Sequence, residues 1–284
     1  MKVRDTVAIG WLNPGQVDGM FAMSIAVLYR ERPRITALFH DENSGLLSRG
    51  RNLLVANFLE QTDAQWLLMI DADEQLSVEG FDKLCAAVHD VERPIVAGLY
   101  FGAWRGDFYP VPVPLIFRDH PTMPTRFAPI VDYPRDAVIP IDSAGTGCLM
   151  VHRTVFERIR ERDTNPHDPQ RRWCWFRDMP VNGDWYSEDH FFCSVARENG
   201  FPLHAHTGVV LPHRKRFWLD ERHHLLNHPD MLTAEERRSA RWAHLGGESM
   251  ETADVKDVHE SAALARPERV KPKLVPSERE VRRA

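Results

Sequence analysis

The sequence predicts an α/β fold, a single domain with a mostly parallel β-sheet flanked by helices. Apolar runs such as WLLMI at 66–70 alternate with stretches whose apolar residues recur at helical spacing, such as VEGFDKLCAAVHDV at 78–91. Near-continuous apolar strands are buried on both faces, and their alternation with amphipathic helices is typical of parallel sheets. In order, the predicted elements are strand 6–12, helix 19–32, strand 34–40, helix 46–61, strand 65–73, helix 78–91 and strand 93–101.

Prolines and aromatic residues replace this alternation between about 103 and 140. Proline cannot donate to a central β-ladder, so we expect edge strands and loops there. Regular patterns return later, with a strand and helix within 140–162, a helix at 187–200 that Asn199-Gly200 closes, and a strand at 206–213.

Composition and charge exclude several classes of protein. The 284 residues carry 36 Lys and Arg against 41 Asp and Glu, and this negative balance predicts no attraction for nucleic acid or anionic membranes. No stretch of about 18 apolar residues occurs, so we expect a soluble protein with no integral membrane segment. Four widely spaced cysteines favour neither zinc nor a disulfide framework and fit a reducing cytoplasm, and no secretory signal is present.

The C-terminal part of the sequence differs from the rest. Residues 247–284 contain no Phe, Trp or Tyr and carry 8 acidic and 8 basic side chains, which leaves little to form a core. The prediction is one domain over 1–246, followed by a charged tail that is disordered or loosely docked.

Acidic residues follow the third predicted strand, in the sequence DADE. In a continuing strand, Asp71 and Asp73 project to the same side. Two carboxylates held so close favour a cation between them, and oxygen ligands of this kind suit Mg²⁺ or Mn²⁺. The alternative is a solvated turn or the cap of the next helix, and Glu74 fits that description best. Because ligands of open sheets bind beyond the carboxyl ends of the strands, we favour a ligand site.

Two further patterns are candidates for the same site. Arg49 and Arg51 stand at the start of a helix, where the dipole disfavours cations unless an anion such as a diphosphate is near; exposed arginines are the alternative. In DWYSEDHFF, residues 184–192, Ser187 is expected to cap a helix whose first turn holds Glu188 and Asp189. Helix capping alone is enough to explain these residue types. Either carboxylate could also orient an acceptor hydroxyl or act as a base, beside an aromatic surface suited to sugars.

Histidines supply the last candidate. His204 and His206 share a strand face and are expected to be merely packed or exposed, whereas His213 after the strand could complete a metal site as a nitrogen ligand. The sequence contains no HExxH, GxSxG, GxxxxGK[ST] or GxGxxG motif.

In this order, the motifs resemble the GT-A superfamily of nucleotide-sugar-dependent glycosyltransferases, of a soluble bacterial or phage type. The resemblance covers about 5–218 and lies in VAIGWLNPG, RGRNLLVANFL, LLMIDADEQL, SAGTGCLMVHRTVFERI, SEDHFFCSVARENGF and VVLPH. It implies a single GT-A domain, in which Mn²⁺ or Mg²⁺ bridges the diphosphate of a nucleoside diphosphate sugar and a hexose is transferred.

The resemblance also implies roles for individual residues. Asp71, Asp73 and His213 would hold the metal, with Asp71 also near the ribose. Glu188 and Asp189 would face donor or acceptor hydroxyls and carry the catalysis. The remaining donor-binding candidates are Asn13, Pro14, Gly15, Asp41 or Glu42, Arg51, Gly145, Thr146 and Gly147.

The acceptor is expected to be a carbohydrate, a protein or a small molecule, and UDP and GDP are the expected donor nucleotides. The Gly-Thr-Gly loop, the Glu-Asp pair and the late histidine resemble some retaining branches. The Q-x-x-R-W motif of processive polymer synthases is absent. Two alternatives stay open: a nucleotidyltransferase-like enzyme, although its Gly-rich N-terminal loop is missing, and a non-catalytic module of the same fold that binds a glycan or nucleotide.

Overall fold

The structure is a computed structural model that describes residues 6–13, 15–42, 45–104, 111–121, 126–181, 184–215, 231 and 233. Pro14 and the predicted tail 247–284 lie outside the described residues. No helix in the described part of the chain is long and apolar enough to cross a membrane.

A seven-stranded mixed sheet forms the centre of the described structure. Five strands run in one direction, and two, β9 and β11, run against them. Across the sheet the strands are β2 (Ile35–Glu42), β1 (Val7–Asn13), β3 (Trp66–Ile70), β11 (Cys148–His152), β4 (Ile95–Leu99), β14 (Leu203–Val210) and β9 (Val138–Ile141).

The central strands are buried because both faces of the sheet are covered. All five residues of β3 are at most 5% exposed, and burying a side chain such as Leu67 contributes about 1.5–3 kcal/mol. One face packs against side chains of α2 (Leu47–Gln61), α4 (Arg153–Arg162) and α5 (Glu188–Glu198); the other packs against α1 (Gly19–Glu31) and α3 (Val78–Ala87). The predicted α/β fold is confirmed.

The proline-rich part forms small peripheral sheets, as the sequence predicts. Within the described part of the chain, β5 (Phe101–Trp104) pairs only with β6 (Val111–Pro114), whose prolines therefore interrupt no central ladder. A three-stranded sheet contains β7 (Ile116–Asp119), β8 (Phe127–Pro129) and β10 (Ser143–Ala144), and a two-stranded sheet contains β12 (Met179–Val181) and β13 (Asp184–Tyr186).

The antiparallel strand β11 determines what meets at the end of β3. Cys148, its first residue, pairs with Ile70, the last residue of β3. The preceding loop therefore lies beside the acids, and the amide of Asp71 donates to the carbonyl of Gly147 at 2.9 Å.

The predicted strand 65–73 is too long at its carboxyl end. β3 ends at Ile70, and Asp71 begins a turn in which its carbonyl accepts from the amide of Glu74 at 3.1 Å. The two aspartates are therefore turn residues rather than alternate residues of one strand. The reason is that the ladder between β3 and β11 ends at Ile70 and Cys148, and the chain turns directly after it.

Candidate functional site

A cavity of about 650 Å³ opens where β1 and β3 end. Residues 71–74 are called the acid turn below. Three of them, Asp71, Ala72 and Asp73, line the wall of the cavity. The other lining residues are Leu12, Gln16, Val17, Asp18, Gly45, Leu47, Arg214 and Lys215. A second cavity, of about 320 Å³, includes Val7 and Trp66, the first residues of β1 and β3, and none of the predicted site residues. The larger cavity is the candidate site because it combines acids and cations at the carboxyl end of the sheet.

Backbone hydrogen bonds fix the chain after β14 to the acid turn. The amide of Arg214 donates to the carbonyl of Asp73 at 2.9 Å, and the amide of Gln75 donates to Pro212 at 3.2 Å. Glu74 and His213 form an isolated antiparallel bridge. These contacts hold His213 and the two basic residues that follow it against the acids.

His213 and Asp73 face each other. Nδ1 of His213 lies 2.8 Å from the carbonyl oxygen of Phe101, which can only accept, so Nδ1 carries a proton. Nε2 lies 3.2 Å from Oδ2 of Asp73. An unprotonated Nε2 and a carboxylate oxygen repel each other, so this pair requires either a proton or a cation between them. Metal-bound histidines commonly have the same arrangement, with the other ring nitrogen bound to a carbonyl.

Asp71 points to a different partner. Its Oδ1 accepts from Nη2 of Arg51 at 3.3 Å. Among the described residues, no three His, Cys, Asp or Glu side chains are grouped closely enough to hold a metal ion. Of the three predicted metal ligands, Asp73 and His213 therefore face each other, whereas Asp71 is bound to Arg51.

Arg51 is the centre of a buried charge cluster and is only 4% exposed. Its Nε lies 3.4 Å from Oε1 of Glu188 and 3.8 Å from Oδ1 of Asp189, and its Nη1 donates to the carbonyl of Thr146 at 3.3 Å. Asp189 also accepts from the hydroxyl of Thr146 at 2.5 Å. Arg51 does not line the cavity; it contacts Glu188 and Asp189, the residues to which the sequence resemblance assigns the catalysis.

Burial and crowding change the protonation of this cluster. Burial, with the neighbouring Asp189, raises the pKa of Glu188 to about 7, although Arg51 opposes the change. Burial also raises the pKa of Asp189 against the opposing effects of Arg51 and Thr146. Burial acts to lower the pKa of Arg51, but the surrounding carboxylates, Asp71 first, raise it above its ordinary value. Glu188 can therefore exchange a proton near neutral pH.

Glu74 is not the solvated turn residue that the sequence suggests. It is 1% exposed, and neither carboxylate oxygen has a hydrogen-bond partner in the described part of the chain. Burial, with the charges of Asp71 and Asp73, raises the pKa of Glu74 well above its usual value. The sequence could not predict this because Glu74 bridges to His213, a contact between distant parts of the chain, and is buried there.

The Gly-Thr-Gly loop has a structural reason for its glycines. A Cβ on Gly145 would collide with the hydroxyl of Tyr100, and a Cβ on Gly147 would collide with Oε1 of Glu74. The Tyr100 hydroxyl accepts from the amide of Gly147 at 2.9 Å. The loop therefore packs tightly on buried polar groups and presents Thr146 to Asp189.

The predicted nucleotide-contacting residues lie at the ends of β1 and β2. Asn13 accepts from the amide of Gly15 at 3.0 Å, and Gly15 has φ +91°, a conformation that favours glycine. Asp41 stands opposite Leu12, which lines the cavity. Its Oδ2 is buried and has no hydrogen-bond partner among the described residues.

Sequence reasoning missed Asp18, Arg214 and Lys215. Asp18 caps α1 by accepting from the amide of Met20 at 2.8 Å, and it forms an ion pair with Arg214. Nζ of Lys215 lies 3.7 Å from Oδ2 of Asp73. The only sequence signal is the basic run that follows His213, which gives no indication of its partner.

Several other predicted residues have structural roles. Ser187 is the N-cap residue of α5, and Glu188 and Asp189 lie in its first turn, as predicted, but the Ser187 side chain makes no capping hydrogen bond. Arg49 is exposed, and His204 and His206 are half-buried. The Tyr186 hydroxyl lies 2.5 Å from that of Ser194, whereas Trp185 is 60% exposed.

Comparison with known proteins bears on the fold. The sequence matches no protein-family model and no curated protein. Among solved structures, A197 from STIV is similar over 76% of this chain and 87% of its own, with 16% identity and a TM-score of 0.46. A glycosyltransferase involved in the glycosylation of the major capsid of PBCV-1 is similar over 56% of this chain and 68% of its own, with 12% identity and a TM-score of 0.29.

GalNAc-T7, solved with UDP, GalNAc and Mn²⁺, is similar over 90% of this chain, with 10% identity and a TM-score of 0.50. This chain spans 54% of the length of that one. The fold is that of the GT-A glycosyltransferases, an α/β domain with a mixed central sheet between helices. At this level of identity, the likeness concerns the fold alone.

Proposed function

We propose that this protein is a metal-dependent glycosyltransferase that moves a hexose from a nucleoside diphosphate sugar, a UDP- or GDP-sugar, to an acceptor hydroxyl. The supporting observation is that the cavity at the carboxyl end of the sheet carries acids on one wall, Asp71 and Asp73, and two cations, Arg214 and Lys215. A diphosphate needs cations around it, and a divalent ion held by carboxylates is one common source. The GT-A fold supports the same reading.

The side-chain types of Asp71, Asp73 and His213, two carboxylates and an imidazole, suit a divalent ion such as Mn²⁺. Asp73 and His213 present an oxygen and a nitrogen 3.2 Å apart with the protonated Nδ1 turned away, and Asp71 supplies a third ligand if it leaves Arg51. These three residues would hold Mn²⁺ or Mg²⁺. When bound, the ion supplies positive charge that stabilises the departing diphosphate.

The chain's own residues do the rest of the donor binding. Arg214 and Lys215 contact the phosphates, with Asp18 holding Arg214 in place through its ion pair. Asn13, Pro14 and Gly15 line the nucleoside. Asp41, which stands opposite Leu12 of the cavity wall, is the further nucleoside contact.

Glu188 and Asp189 act on the acceptor, which is a carbohydrate, a protein or a small molecule. The pKa of Glu188, raised to about 7 by burial and by Asp189, suits a group that accepts the proton of a hydroxyl near neutral pH. Such a base belongs to an inverting reaction, whereas the sequence resemblance favours a retaining one. The anomeric configuration of the product, read by NMR, decides between them.

Donor turnover is the test of the proposed function. The protein is incubated with Mn²⁺ and a panel of UDP-, GDP- and dTDP-sugars, and released nucleoside diphosphate is measured together with binding by calorimetry. We expect release from at least one donor, abolished by EDTA and by Asp73→Asn. The exposed Asp132→Asn variant is the matched control and should retain the activity.

Other outcomes separate the alternatives. Binding of nucleotide without release from any donor would favour a non-catalytic module, and release of pyrophosphate from a nucleoside triphosphate would favour a nucleotidyltransferase. Neither binding nor release with any donor would sink the proposal.

The proposal includes a domain organisation and a location. Residues 1–246 form one GT-A domain, 247–284 form a charged tail, and the protein acts in the cytoplasm. Limited proteolysis followed by mass spectrometry should remove the tail first and leave a fragment that ends near 246. A first cleavage inside 6–215 would contradict this organisation.

A further inference from the structure

Arg51 is shared between two parts of the site that have different tasks in the proposed function. Nη2 contacts Asp71 in the acid turn at 3.3 Å, while Nε contacts Glu188 at the start of α5 at 3.4 Å. Asp189, at 3.8 Å, is the third carboxylate around this guanidinium. Each distance exceeds the 2.7–2.9 Å or so of a well-formed charge-assisted hydrogen bond. One cation therefore serves three acids, and none of them holds it closely.

The cluster is buried, so this competition matters. Arg51 and Glu188 are 4% and 5% exposed, and screening by water is weak at such positions. The carbonyl of Thr146 binds Nη1 at 3.3 Å and keeps the guanidinium between the two sides. A small movement of the guanidinium toward one carboxylate strengthens that contact and weakens the others.

Arg51 lies between Asp71 and Glu188 and contacts both. The charged groups that face Glu188 are Asp189 on its own helix, Arg51 on α2 and Asp178 in the segment before β12. Asp71 acts on Arg51 and on Asp189. If the charge of Asp71 is removed or is bound by another cation, the guanidinium of Arg51 interacts more strongly with Glu188 and Asp189, the carboxylates of α5.

We propose that Arg51 is a positioning residue that couples the two sides of the site: when the acid turn engages a ligand through Asp71, the guanidinium is released to Glu188 and Asp189 and stabilises their ionised forms. The assignment of the acid turn to the donor rests on the proposed function, whereas the coupling itself does not. Because coupling is reciprocal, protonation of Glu188 strengthens the hold of Arg51 on Asp71.

The test measures the titration of Glu188 without donor or metal. Glutamate side chains are labelled with ¹³C, and the Glu188 carboxyl, assigned by its loss in Glu188→Gln, is followed by NMR against pH. Asp71→Asn should lower the titration midpoint of Glu188 by about one pH unit, because Arg51 is then free to stabilise the carboxylate. Asp73→Asn is the matched control, since Asp73 pairs with His213 rather than Arg51, and should change the midpoint by less than half as much.

Arg51 variants locate the coupling. In Arg51→Lys, which keeps a charge but loses the fork of donors, the effect of Asp71→Asn should fall to less than half. Arg51→Gln should raise the Glu188 midpoint and abolish the effect, provided that its circular dichroism spectrum matches the wild type. If Arg51→Gln does not fold, the comparison of Asp71→Asn with Asp73→Asn in the wild-type background still decides.

Two results would overturn the coupling. One is an equal shift in Asp71→Asn and Asp73→Asn; the other is an undiminished effect of Asp71→Asn in Arg51→Lys. Because no sugar donor enters these measurements, a failure of the coupling is distinguishable from a failure of the glycosyltransferase proposal.

Discussion

Nε2 of His213 lies 3.2 Å from Oδ2 of Asp73, while the carbonyl of Phe101 accepts from Nδ1 of the same ring at 2.8 Å. The two residues are 140 positions apart in the sequence, and backbone hydrogen bonds between 73–75 and 212–214 hold them together. The carbonyl fixes which nitrogen is available, so the pair presents two ligand atoms of a prospective cation site.

We expect His213→Gln to weaken Mn²⁺-dependent binding of UDP at least about tenfold, because the amide is a poor replacement for an oriented imidazole nitrogen. Calorimetry with and without Mn²⁺ measures the effect. His206→Gln, at a half-buried position on β14, is the control and should leave binding unchanged. If both variants bind UDP equally well with Mn²⁺, His213 is not a ligand of the metal.

Arg214→Gln and Lys215→Gln should each weaken UDP binding about tenfold, roughly 1.4 kcal/mol, since each removes a cation from the cavity wall. The salt dependence of binding should also become shallower, because fewer charges face the phosphates. Arg30→Gln removes an exposed cation of α1 that does not line the cavity and serves as the comparison. An unchanged salt dependence would argue against phosphate contact.

Glu188→Gln should change how stability depends on pH. The native pKa of Glu188, about 7, exceeds its ordinary value of 4.5, so the folded protein binds the proton more tightly than the unfolded chain does. The stabilising contribution of Glu188 to the free energy of unfolding is therefore fully present below about pH 4.5 and is lost as the pH rises through about 7. We expect Glu188→Gln to be more stable than wild type above pH 7, by up to about 3 kcal/mol.

Urea denaturation between pH 4.5 and 8 measures this difference. Glu198→Gln, at an exposed position of the same helix, is the control and should follow the wild-type curve. A pH-independent difference between Glu188→Gln and wild type would contradict the raised pKa.

Asn52→Ala should destabilise the fold by about 2–4 kcal/mol. Its buried amide donates to the carbonyls of Ser48 and Phe176, both at 2.7 Å, and its Oδ1 accepts from the amides of Trp175 and Phe176 at 3.1 and 3.2 Å. Removal leaves buried backbone groups unpaired. Asn57→Ala, on the same helix, removes a side chain that among the described residues bonds to Gln61 alone, and it should cost less than about 1 kcal/mol in urea denaturation. Similar losses in both variants would contradict this role of Asn52.

Gly147→Ala should destabilise the protein by about 1–3 kcal/mol, because the new methyl group would meet Glu74 and lie 2.7 Å from Cζ of Tyr100. Gly19→Ala is the opposite case: its Cβ meets nothing within 4 Å, and alanine favours α1. In thermal melting, Gly147→Ala should lower the melting temperature and Gly19→Ala should raise it. A neutral Gly147→Ala would mean that the loop can move away from Glu74.

The amino-acid sequence by itself determined the local elements and the class of fold. Apolar runs and helical periodicity predicted the strands around the centre of the sheet and all five helices of the described residues. They could do so because the spacing of apolar residues along a short segment reflects which of its positions are buried. Prolines correctly marked the peripheral strands. The order of the motifs along the chain brought the acids, the Glu-Asp pair and His213 into one hypothesis.

Tertiary structure decided which of these residues meet. The antiparallel direction of β11 brings Gly147 beside Asp71, Arg51 binds acids 20 and 137 positions away, and Glu74 is buried instead of exposed to water. These relationships depend on strand order and on backbone bonds between distant segments, which no local pattern encodes. The sequence therefore named most of the residues, and packing assigned their partners, charges and exposure.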